Sequence, residues 1–114
     1  MITITRIELD EKHFFLKASG HAGGGTAGND IICAGVSAIT QTLLNVLQDE
    51  EEAGRIEMEW YMTDGELQIQ AFPMSSMHMQ LKNYFHMAAV GLKDIAEQYP
   101  KNVKIMEVEK DGNT

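Results

Sequence analysis

Residues 56–71 constrain the fold more tightly than any other part of the sequence. Ile56, Met58, Trp60 and Met62 alternate with Glu57, Glu59 and Tyr61. Thr63-Asp64-Gly65 then turns the chain, and Leu67, Ile69 and Ala71 alternate with Gln68 and Gln70. A side-chain period of two with a Gly-containing turn between the runs is a β-hairpin. Strict alternation leaves such a sheet with one wet face, so helices are expected to pack mainly on the other.

The rest of the chain fits around that hairpin. Ile2, Ile4, Ile7 and Leu9, a polar turn at Asp10-Glu11-Lys12, and Phe14, Leu16 and Ala18 read as an opening hairpin. Residues 30–52 predict a long helix with Ile32, Val36, Ile39, Leu43 and Leu47 on one face, ended by Gly54. Phe72-Pro73-Met74 breaks the strand, and Ser75 or Ser76 is placed to cap the next helix. That helix carries Met77, Leu81, Phe85, Ala88, Leu92, Ile95 and Tyr99 as an apolar stripe, and Pro100 stops it. Val103 to Val108 is a last short strand, and Lys110 to Thr114 a polar tail expected to be loose. The predicted order is ββαββαβ: one α+β domain over residues 1–114, with a mostly antiparallel, mixed sheet and two long helices packed on it. One helix on each face is the alternative.

The chemistry concentrates between Gly20 and Ser37, which holds six of the ten glycines, the only cysteine and one of four histidines. Asp30 closes the small-residue run and is a good N-cap. Cys33 is then expected in the first helical turn, where free amides and the helix dipole favour a thiolate. A lone Cys there, behind a flexible loop that carries His21, has the parts of a Cys/His nucleophile pair. A buried Cys beside Ile31, Ile32 and Val36 is also commonly a small core residue. No Gly-Lys-Ser/Thr follows the glycines, and their spacing fits neither a P-loop nor a dinucleotide fingerprint, so no cofactor is expected.

Composition bounds the alternatives. The 114 residues are 44% hydrophobic and 23% charged, the balance of one globular domain. The alternating start lacks the form of a signal peptide, and no uninterrupted apolar run approaches the ~20 residues of a membrane span. One cysteine cannot form an internal disulfide, and a reducing cytoplasm is the expected compartment. A net charge of −8 argues against a nucleic-acid surface and suits a basic partner.

Gly20-His21-Ala22, followed by Gly28-Asn29-Asp30-Ile31-Ile32-Cys33-Ala34-Gly35-Val36-Ser37, resembles the signature of the ribosomal-processing cysteine protease (Prp) family. Gly91-Leu92-Lys93-Asp94-Ile95-Ala96-Glu97-Gln98-Tyr99-Pro100 is similar to that family's second helix and its exit. The resemblance implies a cysteine endopeptidase that trims the basic N-terminal extension of a large-subunit ribosomal protein. It also implies Cys33 as nucleophile, His21 as base, and a homodimer. A non-catalytic, homodimeric ribosome-associated binding protein of the same fold is the alternative.

The supporting residues carry more than one reading each. Asp30 either caps the helix or orients His21, and Ser37, one turn after Cys33, either donates a hydrogen bond there or packs closely. The Cys33 amide and the glycine loop are candidate oxyanion donors. Gly23, Gly24, Gly25 and Gly28 form a candidate substrate loop, expected to order only over a peptide. His13, His78 and His86 make no adjacent i, i+4 pair, and with one Cys no metal site is expected. Met74, Met77 and Met79 are core fillers or a flexible apolar surface. Asp49-Glu50-Glu51-Glu52 sits at the unfavourable end of its helix dipole, as a solvated face or as a lure for a basic partner. Trp60, Met77, Met79 and Met87 are candidates for exposure, so the second helix and second hairpin are expected to contribute to a two-fold interface.

Overall fold

The computed structural model describes the backbone of residues 1–10, 12–20 and 27–109, and the side chains of 1–5, 12–20 and 31–107. The elements run β1 (Ile2–Asp10), β2 (His13–Ser19), α1 (Ala27–Glu52), β3 (Ile56–Thr63), β4 (Glu66–Pro73), α2 (His78–Gln98) and β5 (Val103–Glu109). They form a five-stranded sheet in the order β3-β4-β2-β1-β5. The β1–β2, β2–β4 and β3–β4 pairs are antiparallel, and β1–β5 is parallel. This is the expected mixed α+β sheet.

Both helices lie on one face, which removes the alternative of one helix on each. Phe14, Leu16, Ile69 and Ala71 point from the central strands into one core with Leu47 of α1 and Leu81, Phe85 and Leu92 of α2. Their strand neighbours Phe15, Lys17, Gln68 and Gln70 stay half-buried on the open face. In β3 the alternation holds only in part. Ile56 and Met58 are buried, whereas Trp60 and Met62, on the same face by parity, are 42% and 50% exposed. The strand runs out from under the helix.

Helix α1 ends in a Schellman motif. The Arg55 N–H donates to the Glu50 carbonyl at 3.0 Å and the Gly54 N–H to the Glu51 carbonyl at 2.9 Å. Gly54 adopts φ +77, which glycine takes without a Cβ penalty. The acidic end is not uniformly a solvated face: Glu50 is buried. Its carboxylate accepts hydrogen bonds from Arg55 Nε at 2.5 Å and from the Tyr84 hydroxyl at 2.6 Å. Chiefly that Tyr84 bond, and then Arg55, holds the Glu50 carboxyl below its ordinary pKa. The same bond raises the Tyr84 phenol.

Several expectations change. Helix α1 begins at Ala27, so Asp30 is its fourth residue and not the N-cap; Gly28 costs a helix only about 1 kcal/mol, too little to delay it. Helix α2 is entered through Met77, with no side-chain cap bond from Ser75 or Ser76. Ser75 instead takes φ 45 to make the bend, and Met77 is buried, not exposed. Finally, Ile31–Glu52 has a mean hydropathy of 1.5, long and apolar enough by composition to cross a membrane. Here Ile32, Val36, Leu43, Leu44 and Leu47 bury that apolar face against the sheet.

Candidate active site

Cys33 opens onto a groove of about 330 Å³ at one end of the sheet. One wall is the flank of α1, carrying Cys33, Ser37 and Gln41 at successive i, i+4 positions. The other is the tip of the β3–β4 hairpin, Met62 to Leu67, and Ile2, Ala18 and Gly20 complete the lining. Cys33 is half-buried, so its sulfur is anchored by packing yet meets the groove. Thr40 is buried beside it and donates its hydroxyl to the Val36 carbonyl at 3.0 Å and the Ser37 carbonyl at 3.3 Å. That satisfies the polar group within the helix and leaves Ser37 and Gln41 exposed toward the groove.

Gly20 ties the two walls together. Its N–H donates to the Gly65 carbonyl at 2.8 Å, joining the exit of β2 to the hairpin tip. It adopts φ +95, and a Cβ there would sit 2.3 Å from the Met1 carbonyl oxygen. No side chain fits in that gap. Gly20 lines the groove, and the residue that follows it in the sequence is His21. His21, Gly23, Gly24 and Gly25 lie outside the described residues, as does the side chain of Asp30; Gly28 is described as part of the α1 backbone.

The remaining histidines belong to other parts of the molecule. His13 stacks on Phe72 at 4.6 Å and shares a 2.9 Å hydrogen bond with Gln70. It stands at the opposite end of β2 from Gly20, on the order of 20 Å away at ~3.3 Å per residue. His78 packs against Phe14, and His86 is exposed on α2. Among the described residues, no three His, Cys, Asp or Glu side chains gather as a metal set.

The early start of α1 changes the electrostatics expected at Cys33. As the seventh helical residue it lies in the second turn, and its amide falls within the i→i−4 ladder, so it is not an oxyanion donor. Among the described residues, the orphan amides are those of 27–29, about one turn earlier. Helical side chains tilt toward the N-terminus, so the Cys33 sulfur leans back over that turn.

Sequence reasoning missed the hairpin tip as a wall of the site. The available signal was local: Ser37, Thr40 and Gln41 interrupt an otherwise apolar helix on the Cys33 flank. What they face is a segment far along the chain, which no local pattern names.

The model of the cysteine protease Prp family matches residues 1–104. Among solved structures, the S. aureus ribosomal processing protease Prp in complex with a substrate peptide superposes with a TM-score of 0.74 at 23% identity. It covers 95% of this chain and 100% of that one. The same S. aureus protease with a covalently linked product peptide gives 0.74 at 24% identity and the same coverage. A protein of Streptococcus mutans gives 0.70 at 25% identity, covering 96% of this chain and 95% of that one. The comparison with curated proteins returns no match. With a family match spanning residues 1–104, nearly every described residue, the chain belongs to the cysteine protease Prp family.

Proposed function

We propose that this protein is a ribosomal-processing cysteine endopeptidase in which Cys33 is the nucleophile and His21 the general base. The observation that carries the reading is the shared groove: Cys33 lines it, and so does Gly20, the residue from which His21 departs. The Cys33 sulfur attacks the scissile carbonyl carbon as its proton passes to His21. The tetrahedral intermediate collapses with release of the amine, which takes the proton from His21. Water, deprotonated by His21, then hydrolyses the thioester and returns free Cys33 and a carboxylate product.

The supporting roles follow the same geometry. The orphan amides of the first turn of α1, one turn before Cys33, are suited to the oxyanion. Asp30, within that turn, orients His21, and Ser37 hydrogen-bonds substrate from one turn further along. The Gly23–Gly25 and Gly28 segment folds over the peptide.

The substrate is the basic N-terminal extension of a large-subunit ribosomal protein, in keeping with a chain of net charge −8 and with the S. aureus protease of the same fold. The protein works in the cytoplasm as a homodimer. The dimer face is built on α2, at the apolar groove it shares with α1, lined by Ile39, Val46, Tyr84 and Met87, the last 75% exposed; the second hairpin, also expected to contribute, does not line that groove. The test is incubation with the same organism's ribosomal protein carrying its extension, followed by intact mass. Cleavage by wild type and none by Cys33→Ala is expected; equal cleavage by both overturns the mechanism.

A further inference from the structure

The edge strand β3 continues the Cys33 groove outward. It is hydrogen-bonded to β4 and, among the described strands, to no other. The Arg55 carbonyl accepts from the Met74 N–H at 3.0 Å, so the backbone groups of Arg55 point toward the β4 side. Antiparallel pairing alternates, and the N–H and C=O groups of Met58, Trp60 and Met62 therefore point to the free edge. Trp60 and Met62 also carry the half-exposed apolar side chains that α1 leaves uncovered, and Met62 lines the same groove as Cys33. On the opposite face of the strand, Glu57 and Glu59 are exposed.

Resting on the protease reading above, we propose that the substrate docks as a sixth strand on the free edge of β3 and is delivered along it to Cys33. The occupant is an extended peptide segment, and its main chain pairs with the outward groups of Met58, Trp60 and Met62. Its side chains then fall alternately on two surfaces. One set rests on the apolar shelf of Trp60 and Met62, between the strand and the flank of α1. The other faces Glu57 and Glu59, where cross-strand pairing favours Lys or Arg. The preferred segment alternates apolar and basic residues. Continuity of the shelf with the groove and the sign of the charge on the open face both select a peptide over a second copy of this acidic chain.

Trp60 is the only tryptophan, so it reports its own coverage. The experiment titrates Cys33→Ala protein, which binds without turning over, with a synthetic peptide of the basic extension, and follows Trp60 emission and calorimetric heat. A saturable blue shift is expected. Peptides N-methylated at one amide at a time should weaken about fivefold at every second position and little between, the factor that ~1 kcal/mol per lost strand hydrogen bond gives. Glu57→Lys with Glu59→Lys should weaken binding further and flatten its salt dependence.

Calorimetric binding without an emission change, no binding, or N-methyl effects without a period of two overturns the inference. So does a Trp60→Lys protein that halves in mass on light scattering while binding peptide normally, because β3 would then be the subunit interface. Cleavage by wild type without the Trp60 response removes this inference alone. A period-two response in Cys33→Ala, with a wild type that never cleaves, removes the protease reading alone.

Discussion

The two ends of α1 are built on opposite terms. At its C-terminal end the chain is over-determined: a Schellman motif, a buried Glu50, and bonds from Arg55 and from Tyr84 on α2. At its N-terminal half the same helix presents Cys33, Ser37 and Gln41 to an open groove, against a hairpin tip held by strand pairing with β2 and by the Gly20–Gly65 hydrogen bond and not by α1. A reactive side chain needs accessible space around it, and accessible space means fewer contacts. The helix resolves the conflict by rigidity along its axis: the closed end fixes the position of the open one.

That contrast can be broken from the reactive side with the largest effect. Cys33→Ala should abolish cleavage of the extended ribosomal protein, read by intact mass, while leaving the melting temperature within a few degrees. His21→Ala should lower turnover by ~10²–10⁴-fold, the range of a positioned acid–base group, and should slow iodoacetamide labelling of Cys33 at neutral pH. Normal cleavage by His21→Ala would pass the base role to Asp30 or to water.

Changes at the anchored end should do the reverse. Glu50→Ala leaves the Tyr84 hydroxyl and Arg55 without their acceptor and should cost ~1–3 kcal/mol in denaturant unfolding, with kcat for a short peptide little changed. Comparable losses of turnover and stability would show that the two ends are not separate. The pH dependence has a defined sign. The folded-state pKa of Glu50 lies below its unfolded value. Its contribution is therefore complete above the ordinary carboxylate value of ~4.3 and is lost as pH falls through the folded one. Replacing Glu50 with Gln should flatten the acid limb of the stability curve and leave the neutral region parallel to wild type.

The smallest effect expected sharpens the comparison at the loop. Gly24→Ala with Gly25→Ala should impair turnover more than melting temperature if the proposed role of the segment holds, because a glycine run is free to take φ > 0 and to approach a peptide closely.

What the sequence determined by itself is the part set by neighbours along the chain. The alternation of Ile56 to Met62 and of Leu67 to Ala71 specifies strands and faces, because successive side chains of a strand point to opposite sides. The stripes of α1 and α2 specify helices and their buried flanks in the same way, and Gly54 specifies a helix end through the φ only glycine takes freely. The cluster from Gly20 to Ser37 singled out Cys33 and His21 as candidates because a unique Cys, a His and a helix start fall within one short segment. Distant segments decided the rest. Trp60 and Met62 share the parity of Ile56 and Met58, yet they are exposed because α1 passes over only the first half of β3. Glu50 reads as one of four like charges until Tyr84, 34 residues on, closes on it. The far wall of the groove, and with it the surface a substrate would meet, exists only once β4 pairs with β2 and brings Gly65 to Gly20. Periodicity records which face a residue takes; only packing determines what stands opposite.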